Sequence, residues 1–214
     1  MSNREISPPD TTALDHIDVR IVDYNPIWPE RFRAEARLIE DILAENLVQI
    51  FHIGSTSVPG LKAKPIIDIM PVVRSIEQVD GVTGQFEAIG YEAMGELGIP
   101  GRRYFRKGGE NRTHQIHSFQ YDNVGDITRH LAFRDYLRCR PDIGAAYAAL
   151  KSELALRYPD DIGSYCNGKD AFVKRVERDA LRYYWKTYDA AHRCQAHREG
   201  SETSEKRVPS RPFR

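Results

Sequence analysis

Apolar positions along the chain change period several times, and each change marks an element. From Trp28 to Asn46, WPERFRAEARLIEDILAEN sets Phe32, Ala36, Ile39 and Leu43 three or four residues apart, with Ile42 beside them and Pro29 at the start, which predicts an amphipathic helix. LVQIFHI, residues 47–53, is a short apolar run ended by Gly54, and PIIDIMPVV, residues 65–73, is a second one rich in β-branched residues; both predict strands. Pro71 has no N–H for a ladder, so the second strand is expected to bulge or end near it. Ser75 then caps a helix whose apolar face is Ile76, Val79, Val82, Phe86 and Ile89, weakened by Gly81 and Gly84.

YEAM, RRYFRK and THQIHSFQY follow as strand-like pieces between glycine-rich turns, with KGGENR suited to a hairpin. From Asp126 onward the pattern is helical. DITRHLAFRDYLR stops at Pro141, PDIGAAYAALKSELALRY stops at Pro159, and KDAFVKRVERDALRYYWKTY is the last helix. The order predicts an α+β protein: a small mixed β-sheet with helices on one face, followed by a helical C-terminal segment. Residues 1–16, with SPPDTT, read as a loose N-terminal arm, residues 17–190 as one domain, and residues 191–214 as a tail without apolar periodicity, expected to be disordered.

Composition supports a core. Of 214 residues 41% are hydrophobic and 29% charged, the balance of a soluble globular protein. Basic and acidic residues both number 31, so the formal net charge is zero; that disfavours nucleic acid or an anionic membrane as a partner and makes any basic site a local one. The three cysteines, Cys139, Cys166 and Cys194, are widely spaced and form no C-x-x-C pair, which speaks against a disulfide framework or structural zinc. With no apolar signal-like segment at the start and no run approaching the roughly 18 apolar residues of a membrane span, a cytoplasmic location is expected.

The chemistry concentrates in HIGSTSVPGLKAKPIIDI, residues 52–69. Gly54 allows close backbone approach, adjacent N–H groups can cradle an anion, Ser55, Thr56 and Ser57 add hydroxyls, and Lys62 and Lys64 add charge. The same residues also build an ordinary tight turn. Asp68 lies inside the apolar IIDIM, where a carboxylate needs a metal, a cation or several donors; backbone amides or an arginine would serve it as a structural group. A glycine-serine turn after one strand and an aspartate on the next is how nucleotidyltransferases hold a triphosphate and metal ions, but their second acid, two residues on, is here Met70. Arg102, Arg103, Arg106, Lys107 and Arg112 make the densest basic cluster, either clamping phosphates or guarding an edge strand. His114 and His117 point to opposite faces of a strand, so at most one enters a site.

Five stretches, VDYNPIWPERFRAEARLIEDIL, HIGSTSVPGLKAKPIIDI, THQIHSFQ, HLAFRDYLRCRPDIGAAYAALKSELALRY and YCNGKDAFV, resemble the GrpB family in that order, over roughly Val19 to Tyr184. The resemblance implies a nucleotidyltransferase-like fold, with a polymerase-beta-like palm. It matches Gly54 and Ser55 to the phosphate turn and Asp68 to the first metal-binding acid, and it lets His117 stand where a later acid lies; Asp68 and His117 are thus the expected catalytic and metal residues, for Mg or Mn. Thr56, Lys64, Arg103 and Arg106 are expected to bind phosphate, joined from the helical side by Arg134 and Lys169, which fall in family-like segments. Because the family also occurs fused to dephospho-coenzyme A kinase, the expected partner is a small anionic ligand such as a nucleotide or a coenzyme precursor. The expected function is nucleotidyl transfer, or nucleotide or phosphorylated-metabolite binding, with an incomplete two-metal site. A non-catalytic ligand-binding or scaffolding domain retaining the same cleft is the alternative.

Overall fold

The structure, a computed structural model, describes residues 19–202, with side chains described to Tyr188. The expected N-terminal arm lies outside the described residues. Helix α1, Trp28–Leu43, begins with Pro29 in its first turn, and it buries Trp28, Ala36, Ile39 and Leu43. A short 3-10 turn leads into β1, Leu47–Ile53, and the polar turn at 55–57 leads on to β2, Ile67–Val73. Two short helices follow, α2 (Ile76–Gly81) and α3 (Thr83–Ala88). Ser75 caps the first of them by accepting a hydrogen bond from the Gln78 amide, as its position predicts. The single helix expected there is divided beside Gly81, whose low helix propensity had weakened the prediction.

Strands β3 (Tyr91–Ala93), β4 (Arg102–Lys107) and β5 (His114–Gln120) complete a five-stranded mixed sheet of order β1-β2-β5-β4-β3. Neighbours are antiparallel except for β2 and β5, which are parallel. The KGGENR segment closes the β4–β5 hairpin, with Lys107 paired to His114. Its Gly108 has φ +99, and a Cβ there would meet the Asn111 carbonyl oxygen, so glycine is required. Pro71 does not end β2. Pairing with β5 runs from Ile67 to Ile69 and resumes at Val72, and a bulge interrupts β1 between Leu47 and Gln49.

One face of the sheet, with Ile67, Ile69, Val73, Phe105 and Ile116, packs on α1–α3 around the fully buried Phe86. Burying such an aromatic contributes about 2–3 kcal/mol. The opposite face carries Asp68, Met70, His117 and Phe119. Helices α4 (Val124–Cys139), α5 (Pro141–Arg157) and α6 (Ile162–Glu202) form the helical C-terminal segment. Helix α4 covers part of this second face, packing Ile127 and Leu131 on Met70 and Phe119. A separate core joins the loop residues Val58 and Leu61 to α4–α6.

The last helix continues to Glu202, past residue 190 where the ordered domain was expected to stop; residues 203–214 lie outside the described residues. Among the described residues no helix is long and apolar enough to cross a membrane.

Candidate functional site

The turn between β1 and β2 is held from below. Thr56, 1% exposed, donates its hydroxyl hydrogen to the Ile66 carbonyl at 3.1 Å, so its oxygen accepts from His52 Nε2 at 3.0 Å. His52 is thereby fixed as the Nε2–H tautomer, stacked on Phe32 at 4.8 Å, and burial lowers its pKa to about 4. Ser57 Oγ donates to the Gly54 carbonyl at 2.6 Å. Gly54 has φ +68, and a Cβ there would overlap Oδ2 of Asp68, so the glycine is what lets the carboxylate lie against the turn. Thr56, expected to bind phosphate, lines the cavity but spends its hydroxyl on this latch.

Above the turn opens a cavity of about 310 Å³. Ser55 and Asp68 line it from the sheet, Lys64 and Arg112 from loops, and Lys151 and Lys169 from α5 and α6. Four cations thus face one carboxylate. Lys151, 2% exposed, donates to Ser55 Oγ at 3.1 Å and to the Lys62 carbonyl, and its ammonium lies 4.5 Å from the Tyr147 ring centre. Burial, then repulsion from Lys169, brings its pKa down to about 7. Lys64 falls to about 8 for the same two reasons, and the ammonium groups of Lys64 and Lys169 lie 5.2 and 4.9 Å from the Tyr165 ring centre. Arg112 is 9% exposed, and its Nε and Nη2 have no hydrogen-bond partner among the described residues. Burial pushes the Tyr104 phenol up to about 12 and raises Tyr147 and Tyr165 as well, so all three hydroxyls stay protonated.

The expected residues separate by face. Gly54, Ser55, Thr56, Lys64, Asp68 and Lys169 come together. Lys62 instead pairs with Asp23 at the surface, 2.9 Å away. Arg103 lies on the opposite face of β4, forked onto Asp80 at 2.6 and 2.8 Å, and so does not border the cavity. Arg106 is on the cavity's face, but its guanidinium grips Glu92 at 2.6 and 3.0 Å. The two arginines are three apart on one strand, so they could not share a face. Arg134 also falls short: it forks onto Asp135 at 2.7 and 3.0 Å and donates to the His52 carbonyl at 3.1 Å, bracing α4 against β1. His114 belongs to the α1 face, where its Nε2 is 3.9 Å from the buried Glu35, itself bound to Lys107 at 2.8 Å.

His117 does turn toward Asp68, with Nε2 3.5 Å from Oδ1. Its Nδ1 lies 3.4 Å from Arg102 Nη1. A guanidinium only donates, so Nδ1 accepts and the ring proton sits on Nε2, facing the carboxylate. Neither nitrogen then offers a free lone pair to a metal. Among the described residues no group of three or more His, Cys, Asp or Glu side chains is arranged to hold an ion, and Met70 is fully buried and apolar. Among the described residues Asp68 is the one carboxylate on the cavity's lining, with the neutral Gln115 and Ser55 beside it, a sparse donor set for Mg or Mn.

Arg112 and Lys151 are the members of the cavity lining that sequence reasoning missed. Lys151 follows Tyr147 by four residues and precedes Leu154 by three, a lone cation on an otherwise apolar helix stripe, which is a readable signal for a buried charge. Arg112 was legible only as part of a basic cluster, since a hairpin loop has no period from which to read its direction.

The model of the GrpB protein family matches residues 18–179. The protein YqkA of Bacillus subtilis is 48% identical over 165 residues, 77% of this chain, and the chain spans about half of that relative, 48% of its length. The glutamate-rich protein GrpB of Alkalihalophilus pseudofirmus is 34% identical over 74% of this chain and 94% of its own. A crystal structure of the conserved protein GrpB from Enterococcus faecalis superposes with a TM-score of 0.76 at 52% identity, covering 78% of this chain and 99% of the other. The chain belongs to the GrpB family.

Proposed function

We propose that the protein binds a small phosphorylated ligand, such as a nucleotide or a coenzyme precursor, in the cavity above the Gly54–Ser55 turn. The observation that carries this reading is the buried Arg112 guanidinium, with two N–H donors unpartnered among the described residues, beside two lysines whose pKa values are depressed by burial and by repulsion from Lys169. Unpaired buried cations are costly, and an anion entering among them relieves both desolvation and repulsion. Phosphate suits the group because a guanidinium donates to it bidentately while lysines act as movable point charges. The glycine-serine turn and the adjacent Asp68 belong to the nucleotidyltransferase-like plan implied by the family resemblance. With Asp68 the one carboxylate on the cavity's lining among the described residues, a divalent ion would draw most of its ligands from the phosphate oxygens. Binding is therefore favoured over group transfer.

The test is a thermal-shift screen of nucleotides and phosphorylated metabolites, run in EDTA and again with magnesium. A ligand selective for the folded state raises the melting temperature with concentration. The expected result is a shift already present in EDTA and lost in Arg112→Gln and Lys64→Gln. A chain whose melting temperature ignores every phosphorylated compound, or variants that respond like the parent, would overturn the reading.

A further inference from the structure

A second cavity, of about 270 Å³, lies on the other side of Lys64 and Arg112. Both residues line both cavities, so they form a cationic wall between the two. Beyond the wall stand Arg20, at the start of the described chain, and Arg31, on the first turns of α1; both are exposed, and among the described residues no hydrogen bond or ion pair engages either side chain. Glu110 is the one carboxylate on this cavity's lining, opposite four cations, and Pro65 and Ile66 give it an apolar floor.

We propose that this second cavity is a subsite for the same ligand, which therefore carries two anionic groups on a short spacer such as a sugar ring, one on each side of the Lys64–Arg112 wall. The inference rests on the phosphate reading of the first cavity. A single phosphate beside Ser55 would satisfy Lys151 and Lys169 and leave Arg20 and Arg31 without a counter-charge. The planar guanidinium of Arg112 has donors along more than one edge, which suits it to a place between two anions rather than beside one. Its two unpartnered nitrogens need acceptors that no described side chain supplies. Arg20 and Arg31 are long and exposed, so they can close on an arriving group without breaking a hydrogen bond or ion pair to any described residue.

The experiment is isothermal titration of the full chain with adenosine 5′-monophosphate and adenosine 3′,5′-bisphosphate, for the parent and for the double variant Arg20→Gln with Arg31→Gln. Both arginines are exposed, and circular dichroism and melting temperature confirm that the variant is folded. The bisphosphate is expected to bind the parent at least about tenfold more tightly. The double variant is expected to lose that advantage while keeping its affinity for the monophosphate. Equal affinities in the parent, or an advantage that survives the double substitution, overturn the second subsite and leave the phosphate reading standing. Binding of neither nucleotide overturns both.

Discussion

Lys151→Met isolates the energetic cost of the buried cations. Lys151 is almost completely enclosed, and its pKa stands at about 7 against an ordinary 10.5. Below pH 7 that difference corresponds to roughly 5 kcal/mol of lost stability, at 1.4 kcal/mol for each tenfold change. The sign follows from proton counting. Between pH 7 and 10.5 the unfolded lysine is protonated and the folded one is not, so the unfolded state binds more protons and stability rises with pH. From pH 6 to pH 9 the penalty falls by roughly 2.5 kcal/mol. Methionine fills similar space without charge, at the cost of about 1–3 kcal/mol for leaving the Lys62 carbonyl and Ser55 hydroxyl without their donor. The variant is thus expected to be more stable than the parent near pH 6 by roughly 2 kcal/mol, with the advantage gone by pH 9. Urea denaturation at the two pH values reads this directly, as a midpoint difference of about 1 M at pH 6. Groups common to both proteins cancel in the comparison. Parallel pH dependences for parent and variant would refute the reasoning, because Lys151 would then not carry a perturbed proton. The same substitution is expected to weaken phosphorylated ligands.

Two further substitutions check the geometry around the cavity. Gly54→Ala should cost about 2–3 kcal/mol by denaturant melt, from the positive φ and the overlap with Asp68, and adding Asp68→Ala should recover part of it; no recovery would mean that the carboxylate is not what the glycine accommodates. Arg103→Ala should cost about 1 kcal/mol, since the forked pair with Asp80 is only partly exposed, and leave ligand-induced thermal shifts unchanged; a lost ligand response would place Arg103 back at the cavity.

The helix–strand–turn–strand opening was legible because each element has its own period and Gly54 ends one of them. Asp68 was legible for a different reason: a carboxylate in an apolar strand is out of pattern, and strand alternation puts it on Met70's face. The reading of Arg103 and Arg106 as partners failed where the same alternation, applied to them, would have separated them. Arg134 was read from position in a family-like segment, and nothing local announced that the adjacent Asp135 would engage it. The cations that close the cavity come from α5, α6 and the hairpin loop, and their approach to the turn is set by helix packing, to which no single stretch of sequence is a guide. His117 was placed correctly beside Asp68, yet its chemistry was decided by Arg102, fifteen residues away in sequence and one strand away in space.

The parallel pairing of β2 with β5 also bears on the order in which the molecule is assembled. No hairpin can join parallel neighbours, so Asp68 meets Gln115 only after the crossover through α2, α3, β3 and β4 has been traversed. Lys151 reaches Ser55 from 96 residues further along. A chain emerging from the ribosome therefore displays the glycine-serine turn and the carboxylate well before the lysines of α5 and α6 exist to face them. Such distant closures are the slow part of folding, since loop entropy is lost before the contacts are gained. Under the proposed function, a ligand held by these cations would recognise only the finished arrangement, and its capture would report that synthesis and folding have both reached α6.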